Sequence, residues 1–237
     1  MPASYLSGSI IDTKVETTTT PWSITGPTGA ALGDWVVVVI EAFNSAGAPN
    51  SVPSGFTADV TAVEGTTDGR GRTYYGKFQD VGAGPYSFGW ASPEEGLAVT
   101  LAVRGARQTS TPLSVTSTTF NDTTSATTWT TTAITPAENG CCVIGIGGAS
   151  PNGNGRTYAI TSGTTQRLSV KTVSENHVLV VGTLDQSSAA AVTTAGTIST
   201  ADIVYGIQMA FAPAAPIQKR SRRVSNPVGL AAGGAYR

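Results

Sequence analysis

Few residues in this 237-residue chain have the type and spacing to carry out chemistry. His177 is the single histidine, so any catalytic triad or metal–imidazole cluster would have to use it. It opens the run NHVLVV with no Cys or acid at ligand spacing, which is the place of a surface or strand-end histidine. Cys141 and Cys142 are adjacent. Neighbouring side chains of a strand point to opposite faces, so the pair cannot close on one metal, and with no other Cys they read as reduced, buried thiols. Glycoside hydrolysis needs two carboxyl groups about 5 to 9.5 Å apart across the scissile bond. The acids here are scattered, and the one adjacent pair, Glu94–Glu95, sits in the turn-like SPEEG. TTDGRGR (66–72) and SPNGNGR (150–156) are glycine-rich, but neither matches a phosphate-binding loop and neither opens a helix; they read as hairpin turns. The sequence therefore offers no catalytic group, no metal ligands and no cofactor motif, and the expectation is a protein that is not an enzyme.

Aromatic side chains are the remaining candidates. Tyr74, Tyr75, Tyr86, Phe88 and Trp90 cluster in sequence. With Tyr74 and Phe88 inward, Tyr75 would face outward and, with Trp90, stack on a host-surface glycan or a protein partner. The same alternation also suits the core of a sandwich. No motif of aromatic and basic residues appears in the body of the chain, so nucleic acid is not an expected partner there.

Charge is distributed unevenly. Net charge is −1, yet residues 1–214 carry nine basic and fifteen acidic side chains while the last 23 carry five basic and none acidic. Those five are Lys219, Arg220, Arg222, Arg223 and Arg237, in a segment that follows the boundary-like PAAP at 213–216. Such an arm suits anchoring to an acidic protein surface or to nucleic acid, against the plain alternative of a solvated terminus.

The elements that would hold these residues are strands. Thirty-six Thr and 22 Val against nine Leu exclude a helical bundle, and 40% hydrophobic residues exclude a charged disordered chain. No apolar run approaches the roughly 20 residues of a membrane-spanning helix. The first residues show no charged stretch followed by an apolar one, so no secretion signal is expected. Turn signals separate the runs 33–43, 55–65, 72–81, 85–90 and 96–105, and, after a Thr/Ser-rich stretch, 140–149, 157–163, 165–173, 177–184 and 202–211. Leu97, Val99, Leu101 and Val103 alternate with Ala98, Thr100, Ala102 and Arg104, the pattern of a strand with one buried face; Ile203, Tyr205, Ile207, Met209 and Phe211 share a face likewise. The two series echo each other: Trp22 precedes Gly33, and Trp129 precedes Gly140, by the same spacing, and each glycine opens an apolar strand. The expected fold is all-β, an antiparallel two-sheet sandwich or jelly roll built from two similar halves. A polar segment (1–20) would precede the domain (21–213) and a basic C-terminal arm (214–237) would follow it.

The order of Gly33-Asp34, Gly55-Phe56-Thr57, the Tyr86–Trp90 strand and Arg104-Gly105-Ala106 resembles the jelly-roll minor tail and accessory virion proteins of tailed bacteriophages, particularly those infecting actinobacteria. The resemblance covers roughly residues 20–213 and rests on packing and turn residues. It implies a virion structural protein made in the host cytoplasm, contacting other virion proteins and assembling as a homo-oligomer, most simply a trimer. It brings no catalytic residue, and the arm lies outside it. A carbohydrate-binding jelly roll contacting the host cell surface is the alternative reading.

Overall fold

Side chains branched at Cβ pack well on a pleated sheet, and this chain has few residues that prefer a helix. The computed structural model describes residues 1–15, 21–43, 48–63, 69–90, 96–149, 156–172 and 177–215. Among these the only helix is the four-residue α1 (Phe78–Val81), and the regular structure is otherwise antiparallel strand.

The first half contributes β1 (Ser4–Tyr5), β2 (Ile11–Val15), β3 (Trp22–Ile24), β4 (Trp35–Phe43), β5 (Thr57–Val63), β6 (Gly69–Lys77), β7 (Tyr86–Phe88) and β8 (Gly96–Arg104). Its main sheet runs β5-β6-β4-β8, and both β1 and β2 pair with successive stretches of β8 at the far edge. β3 and β7 form a separate two-stranded sheet. The second half contributes β9 (Thr118–Asn121), β10 (Ala126–Thr130), β11 (Cys141–Ala149), β12 (Tyr158–Ser162), β13 (Thr165–Lys171), β14 (Val178–Gln186), β15 (Ala195–Asp202) and β16 (Tyr205–Phe211). Its main sheet is β13-β14-β11-β16-β9, and its smaller sheet is β10-β15-β12.

The layers follow from which residues bury together. Trp35, Val37, Val39, Leu101 and Val103 of the first main sheet pack directly on Ile144, Ile146, Val181, Ile207 and Phe211 of the second. The opposite face of the first main sheet, with Val36, Val38, Ile40 and Tyr74, is covered by Trp22 and Ile24 of β3 and by Tyr86 and Phe88 of β7. Trp129, Tyr158 and Ile198 cover Val178 and Val180 in the same way. The molecule is thus a four-layered β-sandwich, and both inner sheets are buried on both faces. For this reason the alternation in 97–104, which predicts one buried face, yields a strand with eight consecutive buried residues. The side expected to meet solvent lies under β3 and β7, and there the Thr100 hydroxyl donates to the Thr25 carbonyl at 2.8 Å.

The sequence echo corresponds to a duplication of strand pairing. Trp22 lies opposite Phe88, and Trp129 lies opposite Gly196. Ile11 opposite Thr100 is matched by Thr118 opposite Gln208, and Trp35 opposite Val103 by Cys142 opposite Phe211. Thr57 faces Tyr75 and Thr165 faces Thr183, and both ladders then shift register, after Ala58 and after Gln166. Even the isolated bridge Ser51–Gly89 has its counterpart in Ala159–Thr197 of β12 and β15. Equivalent positions differ by 107 in number through β4 and β11 (142 against 35) and by 108 from β5 and β13 onward (165 against 57).

The two main sheets also point the same way. One pole of the molecule gathers Ala3, Arg104, Gly140, Gln186 and Pro213, where the Ala3 N–H donates to the Gly140 carbonyl across the halves at 2.8 Å. At the other pole lie Glu41 and His177, also from different halves. Within residues 1–15, β1 and β2 pair with β8 and complete the first main sheet. Ordered pairing with β8 wins over the polar composition of that stretch.

Candidate functional site

The structure places the predicted site residues in quite different settings. Tyr75 points to the face opposite Tyr74, as alternation requires, but that face is the central core: its ring meets Trp35 edge-on at 5.8 Å and Phe211 at 6.3 Å. Trp90 packs on Trp22 with ring centroids 4.3 Å apart and is 5% exposed. Neither has a free face for a sugar ring, so the glycan-contact expectation for Tyr75 and Trp90 is corrected. Both faces of the sheet are covered, and an outward direction there does not mean exposure. Burial pushes the Tyr75 phenol up, as does the nearby Asp59 charge, and burial pushes Tyr86 up to about 12.

Cys141 and Cys142 are free thiols and both buried. Desolvation raises both, Cys142 well above the usual thiol range, which keeps them protonated and poor as nucleophiles or metal ligands. His177 is at a strand end, immediately before β14, but it is not on the surface. It is 1% exposed, and its Nδ1 lies 3.6 Å from Oε1 of the fully buried Glu41. Sequence reasoning passed over Glu41, although a lone charge ending the run VVVVIEAF is a visible signal for a buried acid with a partner across the core. Glu94–Glu95, residues 66–68 and 150–155 of the glycine-rich segments, and the arm residues Lys219, Arg220, Arg222, Arg223 and Arg237 lie outside the described residues. Among the described residues no group of three or more His, Cys, Asp or Glu is placed to hold a metal ion, and no helix is long and apolar enough to cross a membrane.

What the fold does assemble is a groove at the Met1 pole, about 800 Å³ in volume. Its walls are apolar, from Met1, Pro2, Ala3, Pro213 and Ala214, and Asp185 and Gln186 at the end of β14 add polar groups. β1 is fixed at its edge because the Tyr5 N–H donates to Asp185 Oδ1 at 3.0 Å while the Arg167 guanidinium lies 5.0 Å from the Tyr5 ring. Gln186 is 8% exposed; its Nε2 donates to the Ala190 carbonyl at 2.6 Å, and its Oε1 accepts from no donor among the described residues. Arg104, also on the groove, forks onto the buried Asp34 with Nε to Oδ1 at 2.9 Å and Nη2 to Oδ2 at 2.7 Å. Asp34 in turn accepts the Ala31 N–H at 2.9 Å, which fixes the turn before β4. The Gly-Asp and Arg-Gly-Ala motifs, more than 60 residues apart in sequence, therefore meet as one ion pair. It belongs to the first half alone, because Cys141 and Ala212 occupy the equivalent places in the second. On the far side, Arg107 and Glu138 form an ion pair between the halves.

No family model, curated protein or solved structure matches the chain.

Proposed function

We propose that the chain is a structural component of a bacteriophage particle, a minor tail or capsid-attached decoration protein, which holds shape and offers surfaces and catalyses nothing. The observation that carries this reading is the polarity of the body. Met1 and Ala214 line the same groove, so the chain reaches and leaves the sandwich at one pole, and strand ends at Val63, Gly96, Ala149 and Val178 face the other. A body attached by the first pole would present the second outward. The described surface adds support, since its aromatic rings and thiols are withdrawn into cores and only 12% of residues are charged.

Strand order supports the jelly-roll part of the resemblance. In the first half the chain crosses to the small sheet at β3, returns for β4 to β6, and crosses again at β7 before β8, giving a sheet order β2-β8-β4-β6 beneath β3-β7 and the Ser51 bridge; the second half has the order β9-β16-β11-β14 beneath β10-β15-β12. That order supports a reading of the body as two small jelly rolls packed back to back through their larger sheets. Lys219, Arg220, Arg222, Arg223 and Arg237 would anchor the chain to an acidic surface of a neighbouring virion protein, and a homo-oligomer, most simply a trimer, remains the expected assembly. With Tyr75 and Trp90 buried, the glycan-binding alternative has lost the residues it rested on.

Mass spectrometry of purified particles from the source, with copy-number estimation, tests the reading. Stoichiometric presence in particles is expected, and a chain lacking 216–237 should stay folded yet fail to be incorporated. Absence from particles would overturn the assignment, and normal incorporation of the truncated chain would overturn the anchoring role of the arm.

A further inference from the structure

We infer that β2 is a self-pairing edge, through which two copies of the chain join antiparallel about a twofold axis at Thr13. The outer edges of the two main sheets are not alike. β5 and β13 carry register shifts, after Ala58 and after Gln166, and irregularities of this kind blunt an edge against a further strand. At β9 the Thr132 hydroxyl donates to the Thr119 carbonyl at 2.8 Å, and the Thr118 hydroxyl donates to the Thr132 carbonyl at 3.0 Å, so the chain itself brackets that edge. β1 is closed off because Asp185 takes the Tyr5 N–H. β2 differs from all of these. It keeps unbroken register with β8 from Ile11 opposite Thr100 to Val15 opposite Gly96, and among the described residues no strand lies on its other side.

Which groups face outward follows from alternation. In an antiparallel ladder each residue turns its N–H and C=O together to one side, and its neighbours turn theirs to the other. The Ala102 carbonyl accepts from the Leu6 N–H at 3.0 Å and the Ala102 N–H donates to Ser9 Oγ at 3.0 Å, so Ala102 faces the β1–β2 side of β8. Thr100 and Ala98 face the same way, and they pair with Ile11 and Thr13. The main-chain groups of Asp12 and Lys14 are therefore the ones that point away from the sheet. A second β2 laid antiparallel, with Thr13 opposite Thr13, sets Asp12 opposite Lys14 twice. Those two pairs would exchange four main-chain hydrogen bonds.

Charge selects both the register and the partner. Asp12 and Lys14 project from one face of β2, where their side chains are 35% and 39% exposed and meet at 3.0 Å. Directly opposite Cβ atoms lie about 4.5–5.5 Å apart, within reach of an ion pair. Centring the pair on Thr13 gives a ring in which acids and bases alternate. Centring it on Asp12 or on Lys14 would set like charges opposite each other, which is unfavourable. A strand whose charges complement its own reversed copy specifies that copy as its partner, and such an isologous contact closes at two chains. It is separate from any contact that builds a trimer, and it does not depend on the virion reading.

Charge-swapped variants of the full-length chain test it in sedimentation equilibrium. One short strand makes a contact at the weak end of the range, so loading runs up to about 100 μM. The parent should show a monomer–dimer equilibrium. Asp12→Lys and Lys14→Asp each set like charges opposite, and each alone should weaken dimerisation about tenfold or more. An equal mixture of these two variants sets Lys opposite Asp again and should recover dimers holding one chain of each kind. The double variant Asp12→Lys/Lys14→Asp should recover them as homodimers. Circular dichroism establishes that each variant is folded. Thr13→Cys gives a second readout that needs no charge change, because a directly opposed pair without mutual hydrogen bonds, its Cα atoms about 4.5 Å apart, suits a disulfide. Mild oxidation should link two chains at that position at least tenfold faster than in the control Thr61→Cys on β5, and the native thiols are buried and do not compete. A monomeric parent at the highest loading, a dimer indifferent to both single changes, no recovery on mixing, or equal cross-linking of the Thr13 and Thr61 variants would each overturn the inference. None of these readouts bears on particle incorporation, so failure here and failure of the virion reading are distinguishable.

Discussion

Asp59 illustrates how a single half-buried acid sets a pH response. It sits in β5 and accepts from the Thr73 hydroxyl at 3.3 Å, but burial outweighs the lowering effect of the Ser117 and Thr73 hydroxyls and raises its pKa above the ordinary 3.8. The folded state therefore holds the proton more tightly than the unfolded one. Its contribution to stability falls as pH climbs from 3.8 through the raised value and stays unfavourable above it. Asp59→Asn keeps an acceptor for Thr73 and removes the charge. The variant should melt higher than the parent at pH 7, and the gap should close near pH 3; a constant gap at all pH values would show that desolvation is not the cause. For the thiols we expect no reaction of Cys141 or Cys142 with a disulfide reagent at pH 7 in the native protein and two equivalents after denaturation, since both are buried and protonated. Residue-level reading from sequence was sound on direction and weak on depth. Alternation puts Tyr75 opposite Tyr74, and adjacency puts Cys142 in the central core with Cys141 on the other face. Whether a given face is covered depends on strands dozens of positions away, and no local pattern around Tyr75, Trp90 or His177 reports that.

At the scale of elements, the two glycines that open β4 and β11 carry the clearest equivalence. Gly33 has φ +90° and Gly140 φ +79°, a region L-residues avoid, and a Cβ at either would meet nothing closer than 3.5 Å. Gly33→Ala and Gly140→Ala should therefore each cost about 1–2 kcal/mol through backbone strain alone, by similar amounts. Denaturant unfolding checks this, and a neutral result at one site would show that the turns are not equivalent. Glycines inside the sheets are kept for a different reason. A Cβ on Gly148 would run into the Tyr205 ring and one on Gly147 into Trp129, so small and large residues are matched across layers. Strands were legible because Val-rich and Thr-rich runs are bounded by such turns, and the Trp-to-Gly spacing exposed the repeat. The layer each strand joins was not legible: β3 and β10 are short and Thr- or Ser-rich, and their place over a main sheet is decided by one tryptophan each, Trp22 and Trp129, buried to 1% and 2% exposure.

For the whole molecule, the central core is the decisive feature, because it is made half by one repeat and half by the other. Either repeat alone would expose a full apolar sheet face, so the halves cannot unfold separately at ordinary cost. Calorimetry should show one transition with calorimetric and van't Hoff enthalpies equal; two resolved transitions would mean that the halves are independent units. The groove left no trace in the sequence, since its walls come from residues 1–4, 104, 139–140, 185–187 and 213–214, which only the pairing of the halves brings together. That shared pole has a consequence for genetic engineering. Because Met1 and Ala214 border one hollow and the halves are spatial equivalents, their order along the polypeptide is interchangeable. A circular permutant that starts at Gln108, runs to Ala215, crosses a short glycine linker and continues from Met1 to Arg107 should adopt the same architecture.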